Sequence, residues 1–480
     1  MNRLLLAALV LAAAGAPRYG TATPQTCVWT GQGGNALWST DGNWTCIGLS
    51  PHGHPQNGDD IGFADNSQQP VNTNDLSQLV VHHLILDRHA LLVTGNPISL
   101  TGGLAGNPPE GSGPQFDVGI KLAADGQAFQ NTSAVLTTMV LGGPLDLNNH
   151  ALTVDGTADL YLGGISGSGS INKDGSGSLH LYDSGNYTGL MNIVAGVVFA
   201  DGDGLGASGT GNETFVNNGG TLFLIGSGRS IAESLSLSGG GFSGSGALRV
   251  IDDDVLTSSV TLVGFDATIS IPDADTTLTI AAPFSGGGTL KKLGNGTLRL
   301  DATAPAVDVA AGVLEVDGAD GSTFVRSGAT LSGIGTTSIT ALIDGSFASP
   351  GARSGNDLGT LAVQDLNWFA GAQLRFQLGR SAALSDQMIV SGNLTQNGIG
   401  SYVFAFSDAS TPPLPGVAYT LITFASNQGF AESDFSFTYA GIPAPGQGSG
   451  MVGAFKLTST QLQFTPSVVV SDLLFRDAFD

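Results

Sequence analysis

The chain has 480 residues, 72 of them Gly, about twice the usual share of about 7%, and only 11% are charged against a usual share of about 25%. That composition excludes an ordinary helical or α/β enzyme, while 20 Pro without a Gly-X-Y period excludes collagen and 41% apolar residues excludes a disordered Gly-Ser polymer. Sixteen basic against 39 acidic residues give a net charge of −23, which repels nucleic acid phosphates and anionic headgroups, so no nucleic acid partner is expected.

Residues 1–22 carry a basic start at Arg3, an apolar stretch from Leu4 to Ala14 and small residues around Pro17, the pattern of a secretory signal peptide. The stretch is too short to span a bilayer, and no later apolar run is long enough, so no transmembrane segment is expected once the signal is removed. The small pair Gly20 and Ala22 favours cleavage after Ala22. Just beyond lie the two cysteines of the chain, Cys27 and Cys46. In an oxidising compartment an isolated pair this close forms one disulfide, whereas its spacing, with no second pair, is weak for zinc. Trp29, Trp38 and Trp44 fall in the same segment. They suit a stapled cap covering a sheet edge, and a sugar-stacking surface is the rival reading.

After residue 70 no helical period is sustained, and short alternating runs recur between Gly, Asn, Asp and Ser turns. In Ser178-Leu179-His180-Leu181 and Thr297-Leu298-Arg299-Leu300 the leucines share the inward face, which sends His180 and Arg299 to solvent. Thr221–Leu224, Ala247–Val250 and Gln373–Phe376 read the same way, so the chain is all-β. SGSGSINKDGSGSLHL at Ser166–Leu181 aligns without gaps with SGGGTLKKLGNGTLRL at Ser285–Leu300. Ala195–Gly202 then matches Ala311–Gly318, and Thr214–Leu224 matches Thr323–Gly333, at offsets that shrink along the block. Deletions confined to turns suit stacked coils, because each coil contacts only its neighbours; a sandwich would have to rearrange its sheet.

The pattern G-x-G-x-(I/L)-x-K-x-G-x-G-x-L-x-L is filled by Gly167, Gly169, Lys173, Gly175, Gly177, Leu179 and Leu181, and again by Gly286, Gly288, Lys292, Gly294, Gly296, Leu298 and Leu300. With the turn Tyr187-Thr188-Gly189, absent from the second copy, and the following A-G-V-(V/L) and G-(G/A)-T-L, it resembles the passenger-associated transport repeat of autotransporter proteins. The opening Trp29–Gly31, Trp38-Ser39, Asn43-Trp44, Pro55–Asp60 and Phe63 resembles the start of such passengers. Ser349–Gly351, Gly359–Leu361, Ser385–Gln387 and Val390–Gly392 resemble later coils, and Gly416–Phe437 a closing segment. The resemblance implies a right-handed parallel β-helix, at a cell surface or released from it. The membrane barrel that ends a complete autotransporter needs some dozen strands of about ten residues, far more chain than follows residue 437. The last residues, Leu474–Asp480, resemble a short L-F-x-D-G-F-E ending found on secreted proteins of some Gram-negative bacteria, with Ala478 and Asp480 as departures. A last strand sealing the solenoid is the plainer reading of the same residues.

The expected organisation is a signal peptide at 1–22, a Trp-rich N-terminal cap at 23–65, a parallel β-helix at 66–410 with repeats near 163–224 and 285–333, a closing β segment at 411–470 and a tail at 471–480. His52, His54, Asp59 and Asp60 share one Pro-Gly-rich loop and His82, His83 and His89 lie within eight residues, types that suit zinc or nickel, but neither group has a ligand spacing and structural or surface histidines are the expectation. Asp201-Gly202-Asp203-Gly204 and Asp252-Asp253-Asp254 offer hard oxygen ligands to calcium yet complete no EF-hand, so they read as turn aspartates. Asp174, Asp183, Asp301 and Asp317 are the carboxylates a polysaccharide hydrolase built on a β-helix could use, and a lyase would also need basic residues, of which the chain has 16. No catalytic, cofactor or metal residue is assigned. The expected function is an exported, non-catalytic, adhesin-like or structural β-solenoid that meets extracellular carbohydrate or protein; a β-helical polysaccharide lyase or glycoside hydrolase is the alternative.

Overall fold

A computed structural model describes residues 25–49, 51–181, 186–201, 203–351, 358–440 and 450–470. The expected signal segment and tail, and Asp183, lie outside them. The chain is a parallel β-helix, as the alternating runs and the repeat require. Among the described residues the strands form one 32-stranded sheet and one all-parallel 10-stranded sheet in which each coil contributes a strand beside that of the next. Register is kept from coil to coil: Leu278, Leu298, Leu314, Leu331, Ala348, Leu374 and Phe404 form one inward column. All seven are buried, and truncating one of the leucines to Ala is worth about 2–5 kcal/mol.

Many long strands turn a corner. In Leu79–Leu86 the buried positions are Leu79 and Val81, then Leu84 and Leu86, so the inward parity switches from odd to even. The same switch divides Met191–Ala200, after Ile193, and Thr360–Phe369, after Val363. Each switch coincides with a shift of pairing register, a β-bulge that bends the strand and leaves successive side chains on the outer surface.

The duplicated block has a physical explanation at such a corner. Lys173 and Lys292, equivalent in the two copies, are 1% and 0% exposed, which is rare for Lys without partners. Lys173 Nζ donates to the carbonyls of Asp174 (2.6 Å), Gly175 (2.9 Å) and Ala195 (3.1 Å). Lys292 Nζ donates to those of Leu293 (3.3 Å), Gly294 (2.6 Å) and Ala311 (3.1 Å). Each ammonium thus ties its own Gly turn to the next coil. Room for it comes from Gly196 and Gly312, at φ 72° and 68°, where a Cβ would stand 2.7 and 2.6 Å from the ammonium nitrogen. The A-G-V element of the repeat supplies these glycines. Burial lowers the Lys173 pKa to about 8, against the opposing pull of Asp155 and Asp174.

Both ends are closed by aromatic residues and antiparallel strands. At the start, Thr26–Trp29 pairs antiparallel with Trp44–Ile47, placing Cys27 opposite Cys46, and these two cysteines form a disulfide. Trp29, Trp38 and Trp44 are buried and pack edge-to-face or tilted on one another and on Phe63. Their faces are therefore closed to a stacking sugar. At the other end Gln461–Val470 pairs antiparallel with both Gly450–Leu457 and Tyr419–Gln428, and Phe404, Phe406, Phe437, Phe455 and Phe464 fill the space beneath. Antiparallel pairing at the ends covers edges that an unbroken parallel stack would leave open.

One side chain differs from the sequence reading. His180 points outward but is only 7% exposed, because its ring is stacked between Tyr161 (4.0 Å between centroids) and Phe199 (4.6 Å) of the adjoining coils. Alternation sets the direction of a side chain, not what the next coil lays over it. Phe223 and then Arg249 continue the column.

Lys173→Met and Lys292→Met each leave three corner carbonyls without their shared donor. Each variant is expected to lose about 1–3 kcal/mol of stability, the typical cost of an unsatisfied buried group, read from the urea midpoint. An unchanged midpoint in both would show that the ammonium groups do not hold the corners.

Candidate functional site

The stacked corners bring together residues distant in sequence, and the acidic groups show most clearly what this does. Asp174 accepts from the backbone N–H of Gly175 at 2.8 Å. Asp301 and Asp317, one coil apart, both accept from the Arg299 guanidinium at 2.7 Å, and Glu315 lies 3.6 Å from it. Arg299 thus clamps the two carboxylates that a hydrolase would need free for acid and base work. The calcium candidates are occupied in the same manner: Asp201 accepts from Gly204 N (3.0 Å), Asp252 from Gly226 N (3.0 Å), Asp253 from Thr277 N (2.6 Å) and Asp254 from Arg229 N (3.2 Å). Asp386, in one of the motifs of the later coils, accepts from Gly359 N (2.9 Å) and Gln377 N (2.7 Å) and so pins two neighbouring segments.

Every histidine faces an aspartate. His52 meets Asp59 (2.6 Å), His54 meets Asp41 (2.7 Å), His150 meets Asp125 (2.7 Å), His180 meets Asp159 (3.7 Å) and His89 meets Asp65. His82 and His83 converge on one carboxylate, that of Asp60. The two groupings visible in sequence are therefore regrouped: Asp59 stays with His52, while Asp60 pairs with His82 and His83 of the next coil. Cys27 and Cys46 also lie beside His52, but the disulfide occupies both sulfurs.

A further carboxyl had no sequence signal. Glu233 is 4% exposed, accepts from the Thr214 hydroxyl at 2.8 Å, and borders a cavity of about 330 Å³ that Ser208, Arg229 and Ser230 also line. Burial, the largest influence, pushes its pKa up to about 7, with Glu213 adding to the rise and the Thr214 bond opposing it. Tyr187 is buried nearby, its phenol pushed well above the usual range by burial and then by Glu233.

No known protein family matches the sequence, and no curated protein does. Among solved structures, the Haemophilus influenzae Hap adhesin is similar over 85% of this chain and 60% of that one, at 10% identity and a TM-score of 0.30. The chain thus spans less than two thirds of that adhesin chain, and a superposition this loose carries no conclusion about function. Among the described residues no helix is long and apolar enough to cross a membrane.

Burial raises the pKa of Asp254 to about 6 and those of Glu233, Asp320 and Asp386 to about 7. A carboxyl whose folded pKa exceeds its unfolded value stabilises the fold in full below the unfolded value and loses that contribution as pH rises through the folded one. Between pH 5 and 7.5 the urea midpoint is therefore expected to fall, and Asp320→Asn to make the fall shallower. A midpoint that climbs over this window would contradict the burial of these groups.

Proposed function

We propose that this chain is an exported, non-catalytic β-solenoid that presents an extended lateral surface, adhesin-like or structural in role, at the cell surface or in the medium. Its partners on this reading are extracellular carbohydrate or protein, and the net charge of −23 disfavours nucleic acid. The signal peptide at 1–22, the cap at 23–65, the β-helix at 66–410, the closing segment at 411–470 and the tail at 471–480 are part of this proposal, as is the likeness to autotransporter passengers.

The observation that carries the reading is the use made of the acidic residues. Asp174, Asp301 and Asp317 are bound to their own turn or to Arg299, so neighbouring coils do not offer a free pair of carboxylates at these positions. The column Tyr161, His180, Phe199, Phe223 and Arg249 adds a continuous lateral stripe running over several coils, as a surface-displaying solenoid needs.

The glycoside hydrolase reading keeps one specific support, the Glu233 cavity, since a carboxyl with a pKa of about 7 suits a general acid. Purified residues 23–480 separate the two. The proposal predicts no release of reducing ends or unsaturated uronates from a panel of neutral and acidic polysaccharides. Turnover abolished by Glu233→Gln, with the fold intact by circular dichroism, would replace the proposal with the hydrolase.

A further inference from the structure

Asp60, His82 and His83 form a cluster that the acidic turns elsewhere do not. Successive residues of a strand normally point to opposite faces, yet His82 and His83 both point outward, because the corner bulge falls on them: Leu79 and Val81 are buried on one side of it, Leu84 and Leu86 on the other. On the strand below, Asp59–Phe63, Asp59 pairs with Val81 and Ile61 with Leu84, so the two histidines stand opposite a single outward residue, Asp60. One bulge thus aims three side chains at one point. His82 Nδ1 lies 2.9 Å and His83 Nδ1 3.1 Å from the same oxygen, Asp60 Oδ1, and the three donor groups fall within 4.8 Å of one another. The rings stand edge to face at 71°, so both Nδ1 atoms reach the same carboxylate oxygen without the rings clashing. On the coil above, the place is taken by Gly102, where a Cβ would stand 2.8 Å from His83 Nε2. A side chain there would press on the imidazole.

We propose that Asp60, His82 and His83 bind a single zinc-class divalent transition-metal ion on the corner of the solenoid. Two imidazoles and one carboxylate are the ligand set that zinc accepts with a fourth position left to water or to a donor from a bound molecule. Ligands about 2.0 Å from a tetrahedral ion stand about 3.3 Å from one another, so the two 2.9–3.1 Å edges need open only slightly to admit it. The fourth position faces solvent, as the side chains of His82 and His83 are 36% and 46% exposed. The inference is independent of the proposed function, since an adhesin and an enzyme could equally carry such an ion.

Zinc chloride titrated calorimetrically into the chelator-treated full chain tests it. The expected result is uptake of one ion per chain, weakened at least roughly tenfold by His83→Ala and by Asp60→Asn and unchanged by His52→Ala. His83 is exposed, so its variant is expected to keep the wild-type circular dichroism and melting curve, which guards against misreading an unfolded protein. Absence of stoichiometric uptake, or uptake that survives His83→Ala, would overturn the proposal.

Discussion

A coil that closes on itself must turn its backbone sharply several times per circuit, and at a turn the carbonyls that point inward have no partner from the neighbouring strand. Water cannot reach them in a packed interior, and a buried carbonyl left unpaired costs about 1–3 kcal/mol. In both copies of the repeat that demand is met by one lysine ammonium donating to three carbonyls, two from its own turn and one from the next coil. The rest of the repeat follows from it: glycine in the turn, glycine on the next coil to clear the ammonium, and leucines at alternate positions to fill the space between.

The same stacking decides what the surface can offer. Because coils lie about 4.8 Å apart, an outward Asp on one coil stands within hydrogen-bond reach of the next. That is how Asp253 is tied to the Thr277 N–H, Asp317 to Arg299 and Asp125 to His150. Where a bulge puts two histidines side by side, the outcome is a convergent set of donors and not another cross-link. Beside Glu233 the outcome is a cavity and a carboxyl whose pKa burial pushes up to about 7, so that it exchanges its proton near neutrality.

Much of this architecture could be read from residue order. Alternating leucines, glycine-rich turns and the ungapped alignment of Ser166–Leu181 with Ser285–Leu300 lead to a parallel solenoid, and the isolated pair Cys27 and Cys46 to a disulfide. Lys173 and Lys292 stand two residues after Ile171 and Leu290, so alternation places them on the inward face, but what satisfies them there was not legible, since their partners include carbonyls of the following coil. His180 was legible as outward and not as covered, for the rings that cover it come from strands before and after. The Asp60 cluster left one trace: the apolar positions Leu79 and Val81 change parity at Leu84 and Leu86, and the two residues at the change are His82 and His83. Asp60 and the Glu233 cavity require the coil register, which one sequence read alone does not supply.

The central claim is that the repeat is a corner device acting locally between adjacent coils. Gly312→Ala strikes it directly, since φ there is 68° and the new Cβ would lie 2.5 Å from the carbonyl oxygens of Gly294 and Gly296. In a stack where each coil touches only its neighbours, hydrogen–deuterium exchange on this variant should show lost protection confined to the coils from Thr289 to Val325, with the Trp-lined start and the Phe-lined end unaltered. Exchange that rises equally along the whole chain, or does not change at all, would contradict the account.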